Sequence, residues 1–489
     1  MGDKKTGLAT SGLNWGINTE WTVVGILAAI EFLLRYLVMS YHDFVTWDGT
    51  YYINYFRNTD WQWVFPPGYP LFIEPARLVI SDPVIAAQIV SALFGSLLVI
   101  PLFFLARHFL SSRLSLFVVL VTTLNPLMIK YGAVTMSEAQ YIFFEVAAIL
   151  LYFLRRPVLF GLASGIAYLT RPEAILFFVL LGMWDAWKVR NYRFLGLAAA
   201  GFFVLATPYI VYVHSRLGLW TFSPKFNGLS KWDVDLASNF ARENLANKAQ
   251  SISMSNLIAY SLENYPRRFV LYSKDLLVYA GIPLFIAAAF GIFKKPGILL
   301  VGLAMFLAMP LFGVSAGIRL LLPFIPFLAI FGFIGVVEYP QKWMPTVALI
   351  AMIAGFATSV EQITLGEDFY DEMKLAGNAI HNYVKPTDII LDRKPYTAFC
   401  AGCRFEELPS DSISKIIRYA RANNIRYTSL SEPVIHTFRR HLEPFVYVND
   451  ACRAFGLKTV FKFGIGTGNG IRIVEFPDAD SALVATKLP

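Results

Sequence analysis

The chain has 489 residues, of which 56% are hydrophobic and 16% charged, with 42 Lys and Arg against 34 Asp and Glu. Soluble domains carry about 25% charged residues, so this composition argues against a soluble protein; it also excludes a disordered chain, a collagen and a disulfide scaffold. Charge is dense only after residue 362, where 31 of 127 residues are charged, against 45 of the first 362. The sequence therefore predicts a polytopic α-helical membrane domain over 1–362 and a further domain over 363–489.

Eleven apolar segments approach or exceed the length that crosses a bilayer, which is about 20 residues. They are 22–40, 84–106, 114–129, 138–154, 157–170, 173–187, 194–213, 276–293, 297–312, 319–337 and 344–361. The segments at 157–170 and 173–187 are short, and a tilted or re-entrant hairpin is the alternative there. The tail mixes helical patterns with short β-rich runs, which indicates an α/β domain. The helical patterns are Ala376–Tyr383 and Ile413–Asn423, and the β-rich runs are Asp388–Leu391, Lys458–Phe463 and Gly470–Phe476.

Basic residues in the short connections predict the orientation. With a cytoplasmic N-terminus, twelve Lys and Arg fall on the inner side and only Lys130, Arg171 and Arg319 on the outer side. The loops 41–83 and 214–275 and the tail domain then lie outside the cytoplasm of a multi-pass plasma-membrane protein. The basic residues form no continuous stripe, so we expect no nucleic-acid partner.

The first outer loop combines many aromatic side chains with five acids, which an aromatic belt at the membrane surface does not explain. The run Trp47-Asp48-Gly49-Thr50-Tyr51-Tyr52 follows the first membrane helix closely. Asp48 either caps a helix lying in the interface or acts as a general base that accepts a proton from a hydroxyl group. Asp43 is a weaker candidate for the same role.

Further polar residues gather at the outer ends of later spans. Ser137 and Gln140 have the spacing of a capping box, and Glu138 suits the first turn of a helix, so Glu138 is either structural or catalytic. Arg171 and Arg319 lie on the side where positive charge is sparse, which favours a clamp for an anionic headgroup.

Other charged or reactive residues have simpler interpretations. Glu31 and Arg35 stand four residues apart in the first span and predict a neutralising pair. The Cys400-Ala401-Gly402-Cys403 motif lacks the context of a redox site, so we expect incidental cysteines, paired with each other or with Cys452. The glycines of 464–468 predict a hairpin turn rather than a nucleotide loop. No His or Cys spacing predicts a metal site.

Taken in order, the motifs resemble the GT-C membrane glycosyltransferases, in the prokaryotic branch similar to dolichyl-phosphate-mannose protein mannosyltransferases and lipid A aminoarabinose transferases. The matching runs are Asp48-Gly49-Thr50-Tyr51-Tyr52, Phe65-Pro66-Pro67-Gly68-Tyr69-Pro70-Leu71, Ser137-Glu138, Leu169-Thr170-Arg171-Pro172-Glu173, Arg319 with Leu322-Pro323 and Pro326, and Pro386-Thr387-Asp388-Ile389-Ile390-Leu391 in the tail. Where the family often has Asp-Glu, this chain has Asp48-Gly49 and thus one acid fewer.

The resemblance implies transfer of a sugar from a polyprenyl-phosphate donor, undecaprenyl or dolichyl, to a hydroxyl acceptor on the extracytoplasmic face. It makes Asp48 the catalytic base of an inverting displacement, which needs no cofactor, although a divalent cation remains possible. The acceptor is a protein, a lipid or a glycan. We assign Arg171, Arg319, Lys130, Arg267 and Arg268 to the donor phosphate, because fixed cations stabilise the charge that grows on it.

The remaining substrate contacts are assigned to Tyr51, Tyr52, Tyr69 and Glu173, which belong to or adjoin the same runs. A lipid or glycolipid transporter is the alternative function. Such proteins place their polar groups near the bilayer midplane in repeated halves. Here the polar residues crowd the outer loops, and the sequence shows no matching halves.

Overall fold

The computed structural model describes residues 17–42, 44–57, 65–218, 220–222, 254–280, 288, 307, 318–338, 353, 357, 360–364 and 370–477. These residues form two compact units. The first unit takes those within Met1–Val45, Thr59–Pro224 and Ser261–Leu365, and the second those within Thr46–Asn58, Lys225–Tyr260 and Gly366–Pro489.

The first unit is helical. The helices up to residue 338, including one in the second unit, are α1 (Ile17–Met39), α2 (Trp47–Ile53, second unit), α3 (Pro70–Arg77), α4 (Pro83–Leu97), α5 (Val99–Arg107), α6 (Ser112–Thr123), α7 (Pro126–Tyr131), α8 (Glu138–Phe153), α9 (Pro157–Thr170), α10 (Ala174–Trp184), α11 (Tyr192–Leu217), α12 (Met254–Ala280, which begins in the second unit) and α13 (Ile325–Glu338). A π-helical turn, Asp185–Val189, continues α10, a 3₁₀ helix, Ile318–Phe324, precedes α13, and α14 (Glu361–Thr364) follows.

Within the described residues, three helical stretches are long and apolar enough to cross a membrane: Thr19–Met39, Pro83–Arg107 and Tyr192–Arg216. Shorter apolar helices lie at Ser112–Thr123, Pro157–Thr170 and Arg319–Gly335. Almost all of the segments predicted at 297–312 and 344–361, and most of 276–293, lie outside the described residues.

The segment predicted at 114–129 is not one continuous helix, because the helix ends at Thr123 and a new one starts at Pro126. Asn125 caps the second helix by accepting a hydrogen bond from the Leu127 amide at 3.0 Å. Proline suits a first helical position and removes a donor from the preceding helix, so Asn125-Pro126 divides the segment.

Small residues allow the helices of the first unit to pack closely. A Cβ added to Gly161 of α9 would lie 2.0 Å from the Ala198 carbonyl oxygen of α11, and one added to Gly201 would lie 2.6 Å from the Val158 carbonyl oxygen. This close backbone approach is typical of membrane helices. The predicted Glu31–Arg35 ion pair is present and fully buried, and Thr123 donates a hydrogen bond to Glu31 at 2.6 Å.

The second unit contains a five-stranded mixed sheet in the order β2-β1-β3-β5-β4. Its strands are β1 (Ile389–Asp392), β2 (Arg404–Glu407), β3 (Tyr427–Ser431), β4 (Lys458–Phe463) and β5 (Ile471–Glu475). β1 is parallel to β2 and β3, and β5 is antiparallel to β3 and β4. The helices of the tail are α15 (Asp371–Ile380), α16 (Tyr396–Ala401), α17 (Ile413–Ala422), α18 (Glu432–Phe438), α19 (Glu443–Tyr447) and α20 (Asn449–Ala454), with a 3₁₀ turn at Arg440–Leu442.

The helical spacing of Ile413, Ile416, Ile417 and Ala420 gives α17 one apolar face, which is buried in the core of the tail. The hairpin turn predicted over 464–468 joins β4 to β5, and the amides of Gly466, Gly468 and Gly470 donate to the Glu432 carboxylate. This carboxylate fixes the turn, which agrees with a structural role for the glycines.

Candidate functional site

The candidate site in the first unit is a pocket lined by Glu138, Tyr141, Arg171, Glu173, Arg319, Leu320, Pro323 and Phe324. Its charged lining residues come from three places in the chain: the start of α8, the α9–α10 connection and the 3₁₀ helix before α13. The pocket thus brings together four residues that the sequence assigned separately.

Glu138 is the centre of the charged cluster and is almost completely buried. Its Oε1 accepts a hydrogen bond from Arg171 Nη1 at 2.6 Å and lies 3.9 Å from Arg319 Nε. Arg171 also approaches Glu173, with 3.5 Å between Nη2 and Oε1. Buried charges are stable only when paired, so Glu138 holds the two guanidinium groups at the pocket.

The two arginines differ in exposure. The Arg171 side chain is 10% exposed, whereas that of Arg319 is 35% exposed. Arg319 also directs Nη1 towards the Met136 sulfur, at 3.8 Å. Arg319 is therefore the cation more accessible to an anionic ligand, and Arg171 is bound mainly by the two glutamates.

The capping box predicted for Ser137 and Gln140 is wrong, because no side-chain cap forms at Ser137. Gln140 instead donates to the Gly68 carbonyl oxygen at 3.0 Å and to the Thr170 hydroxyl at 3.1 Å. The Gly68 amide donates to the Leu169 carbonyl oxygen at 2.7 Å. These bonds hold Thr170, the last residue of α9, against the first outer loop. Thr170 directly precedes Arg171.

Tyr69, which the sequence assigned to the substrate, is bonded inside the helical unit. Its side chain is fully buried, and its hydroxyl lies 2.7 Å from both the Ala87 carbonyl oxygen and the Ser91 hydroxyl. Ser91 in turn donates to the Met136 carbonyl oxygen at 2.9 Å. Tyr69 and Ser91 thus brace the turn that leads into Glu138.

The other predicted cations do not line the pocket formed by the described residues. Lys130 is buried, with its ammonium 5.8 Å from the centre of the Tyr131 ring. Arg267 is exposed, whereas Arg268 is buried and interacts electrostatically with Tyr272, which also interacts with Glu173. Tyr272 therefore links Arg268 to Glu173 of the charged cluster.

Asp48 lies in the first turn of α2, in the second unit, and is half-buried. Thr46 caps this helix by accepting a hydrogen bond from the Gly49 amide at 3.1 Å, so Asp48 is not the cap. Withdrawal from water, together with the charges of Glu407 and Asp48, raises the pKa of Tyr51 well above its usual value. Tyr52 is buried, and Asp43 lies outside the described residues.

The cysteines are free, so the predicted pairing is wrong. Cys452 is buried and donates to the Phe445 carbonyl oxygen, while Cys400 and Cys403 lie at the α16–β2 connection. Burial raises the pKa of Cys400 to about 11 and that of Cys403 to about 12. Both thiols therefore stay protonated at neutral pH and are poor nucleophiles.

The parts of the chain that the structure describes contain no group of three or more His, Cys, Asp or Glu side chains arranged to hold a metal ion. The chemistry available at the pocket is that of two guanidinium and two carboxylate groups beside apolar walls.

No protein-family model and no curated protein matches this sequence. Solved structures match it over most of its length. ArnT from Cupriavidus metallidurans bound to undecaprenyl phosphate is 13% identical with a TM-score of 0.60, covering 94% of this chain and 99% of ArnT.

Two structures from Archaeoglobus fulgidus are similar as well. The oligosaccharyltransferase AglB in complex with an inhibitory peptide and a dolichol-phosphate is 14% identical with a TM-score of 0.58, covering 96% of this chain and 77% of that chain. An oligosaccharyltransferase complex with Zn and sulfate is 15% identical with a TM-score of 0.57, covering 90% and 72%. The chain therefore has the fold of the GT-C membrane glycosyltransferases.

Proposed function

We propose that the protein is a membrane glycosyltransferase that moves a sugar from a polyprenyl-phosphate donor to a hydroxyl acceptor. The observation that carries this proposal is the pocket in which Glu138 holds Arg171 and Arg319 beside apolar side chains. A lipid-linked phosphate needs both features, because its headgroup requires fixed cations and its chain requires apolar surroundings. The shared fold with proteins solved with undecaprenyl phosphate or dolichol-phosphate supports the same class of donor.

In the proposed reaction, the acceptor oxygen attacks the anomeric carbon opposite the phosphate. A new bond forms between them, the bond from that carbon to the phosphate oxygen breaks, and Asp48 accepts the hydroxyl proton. Arg319 and Arg171 stabilise the negative charge that the leaving phosphate gains. Glu138 orients the arginines, and Glu173 contacts the sugar.

The setting of this reaction is also proposed. We infer eleven membrane spans, a cytoplasmic N-terminus and an extracytoplasmic tail domain over 363–489, on the basis of charge in the short connections.

The reaction itself needs no metal ion, because a phosphate held by arginines is a good leaving group. Activity that persists in EDTA would agree with this proposal, and its loss, restored by a divalent cation, would contradict it.

The direct test supplies the purified protein in nanodiscs with a panel of polyprenyl-phosphate sugars. We expect transfer of the sugar to an acceptor, or slow hydrolysis of the donor, and loss of either activity in Asp48→Asn. Asp82→Asn is the matched control, because Asp82 only caps α4 in the same loop, accepting from the Val84 and Ile85 amides. Full activity of Asp48→Asn would reject the proposed base.

A further inference from the structure

Helix α2, which carries Asp48, belongs to the same compact unit as the tail and packs against it through its first residue. The Lys394 ammonium lies 3.8 Å from the centre of the Trp47 ring, and the Arg393 guanidinium carbon lies 5.3 Å from it. Cations within about 6 Å of an aromatic ring are attracted to its face, and tryptophan gives the strongest attraction. Both cations are largely buried, which strengthens the contact.

The loop that supplies these cations is fixed independently of α2. It follows β1, whose last residue, Asp392, is fully buried. The Asp392 carboxylate accepts hydrogen bonds from the Arg393 amide and from the Thr397 hydroxyl, both at 2.7 Å. Arg393 also lies 5.1 Å from the centre of the Phe438 ring. The tail therefore presents a rigid pair of cations to Trp47.

A second contact controls the rotation of α2. The Trp47 indole N–H donates to the Tyr51 hydroxyl at 3.3 Å, and the Tyr51 ring meets Phe405 of β2 edge-on, with 6.3 Å between ring centres. A helix of seven residues is unstable on its own, so its position depends on such packing. Asp48 lies between Trp47 and Tyr51 in the sequence of α2.

We propose that Arg393 and Lys394 are positioning residues for Asp48: the tail holds α2 by its first turn and thereby sets the direction of the carboxylate. The inference rests on the proposed function of Asp48 as the base. It also gives the tail domain a role in transfer, because the loop after β1 becomes part of the machinery that orients the acceptor hydroxyl.

The test compares Lys394→Met, which removes the cation and keeps much of the side-chain length, with Lys394→Arg, which keeps the cation. Lys462→Met is the matched control, because Lys462 is an exposed lysine of the same unit. We expect Lys394→Met to lower kcat about 10- to 100-fold, the scale of a small misplacement of a reacting group, with an unchanged KM for the donor. Lys394→Arg should retain most of the activity.

Two further measurements separate positioning from loss of structure. Hydrogen exchange of residues 47–53 should quicken in Lys394→Met while exchange in the strands of the tail does not change. In a double-mutant cycle, Lys394→Met should add little to the effect of Trp47→Leu, because Trp47→Leu already removes the contact between Lys394 and the indole ring. Additive effects, or faster exchange in α2 with wild-type kcat, would overturn the inference.

Failure of the inference is distinguishable from failure of the proposed function. If the wild-type protein transfers no sugar from any polyprenyl-phosphate donor, the function itself is wrong. If the wild type is active, Asp48→Asn is inactive and Lys394→Met equals the wild type, only the positioning role is wrong.

Discussion

Arg171 and Arg319 flank the same carboxylate, but their surroundings assign them different tasks. Arg171 is the close partner of the buried Glu138, so Arg171→Met leaves a buried negative charge without its main partner. Losing one member of a buried pair costs about 3–5 kcal/mol. We expect a clear fall in the thermal midpoint of Arg171→Met, recovered in part by adding Glu138→Gln, which removes the charge.

Arg319→Met should leave the thermal midpoint nearly unchanged and lower the activity instead. Its contact with Glu138 is long, at 3.9 Å, and its side chain is 35% exposed, so the pair contributes little to stability. Because Arg319 is the more accessible cation, we expect kcat/KM for the donor to fall about 10²- to 10³-fold. Arg319→Lys keeps the charge but loses the forked guanidinium group, so its kcat/KM should lie between those of the wild type and Arg319→Met. A thermal midpoint that drops as in Arg171→Met, with unchanged kcat/KM, would contradict this assignment.

Residue types and order were enough to select Glu138, Arg171, Glu173 and Arg319, because charges at the ends of apolar spans are conspicuous. The same reasoning did not predict the bracing contacts of Tyr69 or of Gln140. The partners of these two side chains lie 18 to 72 residues away in the chain. A tyrosine that faces a ligand and one that braces a turn have the same local sequence, so only the packing distinguishes them.

At the level of elements, the contact between Gly68 and the end of α9 is the one we expect to be least tolerant of change. A Cβ at Gly68 would lie 2.5 Å from the carbonyl carbon and oxygen of Leu169, both backbone atoms that cannot move aside cheaply. Gly68→Ala should therefore cost about 1–3 kcal/mol, as overpacking does. It should also lower activity, because Arg171 follows this contact directly.

Gly25→Ala is the control for this prediction, measured by the same thermal unfolding of the protein in detergent. No atom lies within 4 Å of a Cβ at Gly25, and alanine favours the helix. We expect an unchanged or slightly raised midpoint. Equal midpoints for the two variants would show that the first loop can adjust and that Gly68 does not hold α9.

Asp392, the last residue of β1, makes the stability of the tail domain depend on pH. Burial raises the pKa of Asp392 from 3.8 to about 7, so the folded tail binds this proton more tightly than the unfolded chain. Between about pH 4 and pH 7 the stability contributed by Asp392 therefore falls as pH rises. In Asp392→Asn this component disappears, while the carbonyl oxygen can still accept from the Arg393 amide.

In the intact protein, we expect the thermal midpoint of the tail domain to fall more between pH 5 and pH 8 in the wild type than in Asp392→Asn. The comparison isolates Asp392, because Glu372, whose pKa burial also raises, titrates in both proteins. Parallel pH profiles would mean that Asp392 is ionised throughout this range.

Within the described residues, the three long apolar helices and the positions of β1, β4 and β5 were predictable, because each follows from a local apolar pattern. Strands β2 and β3 were missed: β2 has one apolar residue, Phe405, among three charged ones, and β3 is buried at every position and lacks alternation. The break at Asn125-Pro126 was missed because mean apolarity continues across it. The orientation in the membrane depends on charge bias and needs its own test.

That test uses reporter fusions. If the N-terminus is cytoplasmic and eleven segments cross, alkaline phosphatase fused after Pro489 should be active and green fluorescent protein fused there dark, because each reporter works on one side of the membrane. Fusions after Lys188, in the basic connection before α11, should behave in reverse. The re-entrant alternative for 157–187 removes two crossings, so it leaves the expected side of the tail unchanged. A fluorescent fusion after Pro489 would put the tail, and with it Asp48 on α2, on the cytoplasmic side, where a donor presented at the outer surface could not reach it.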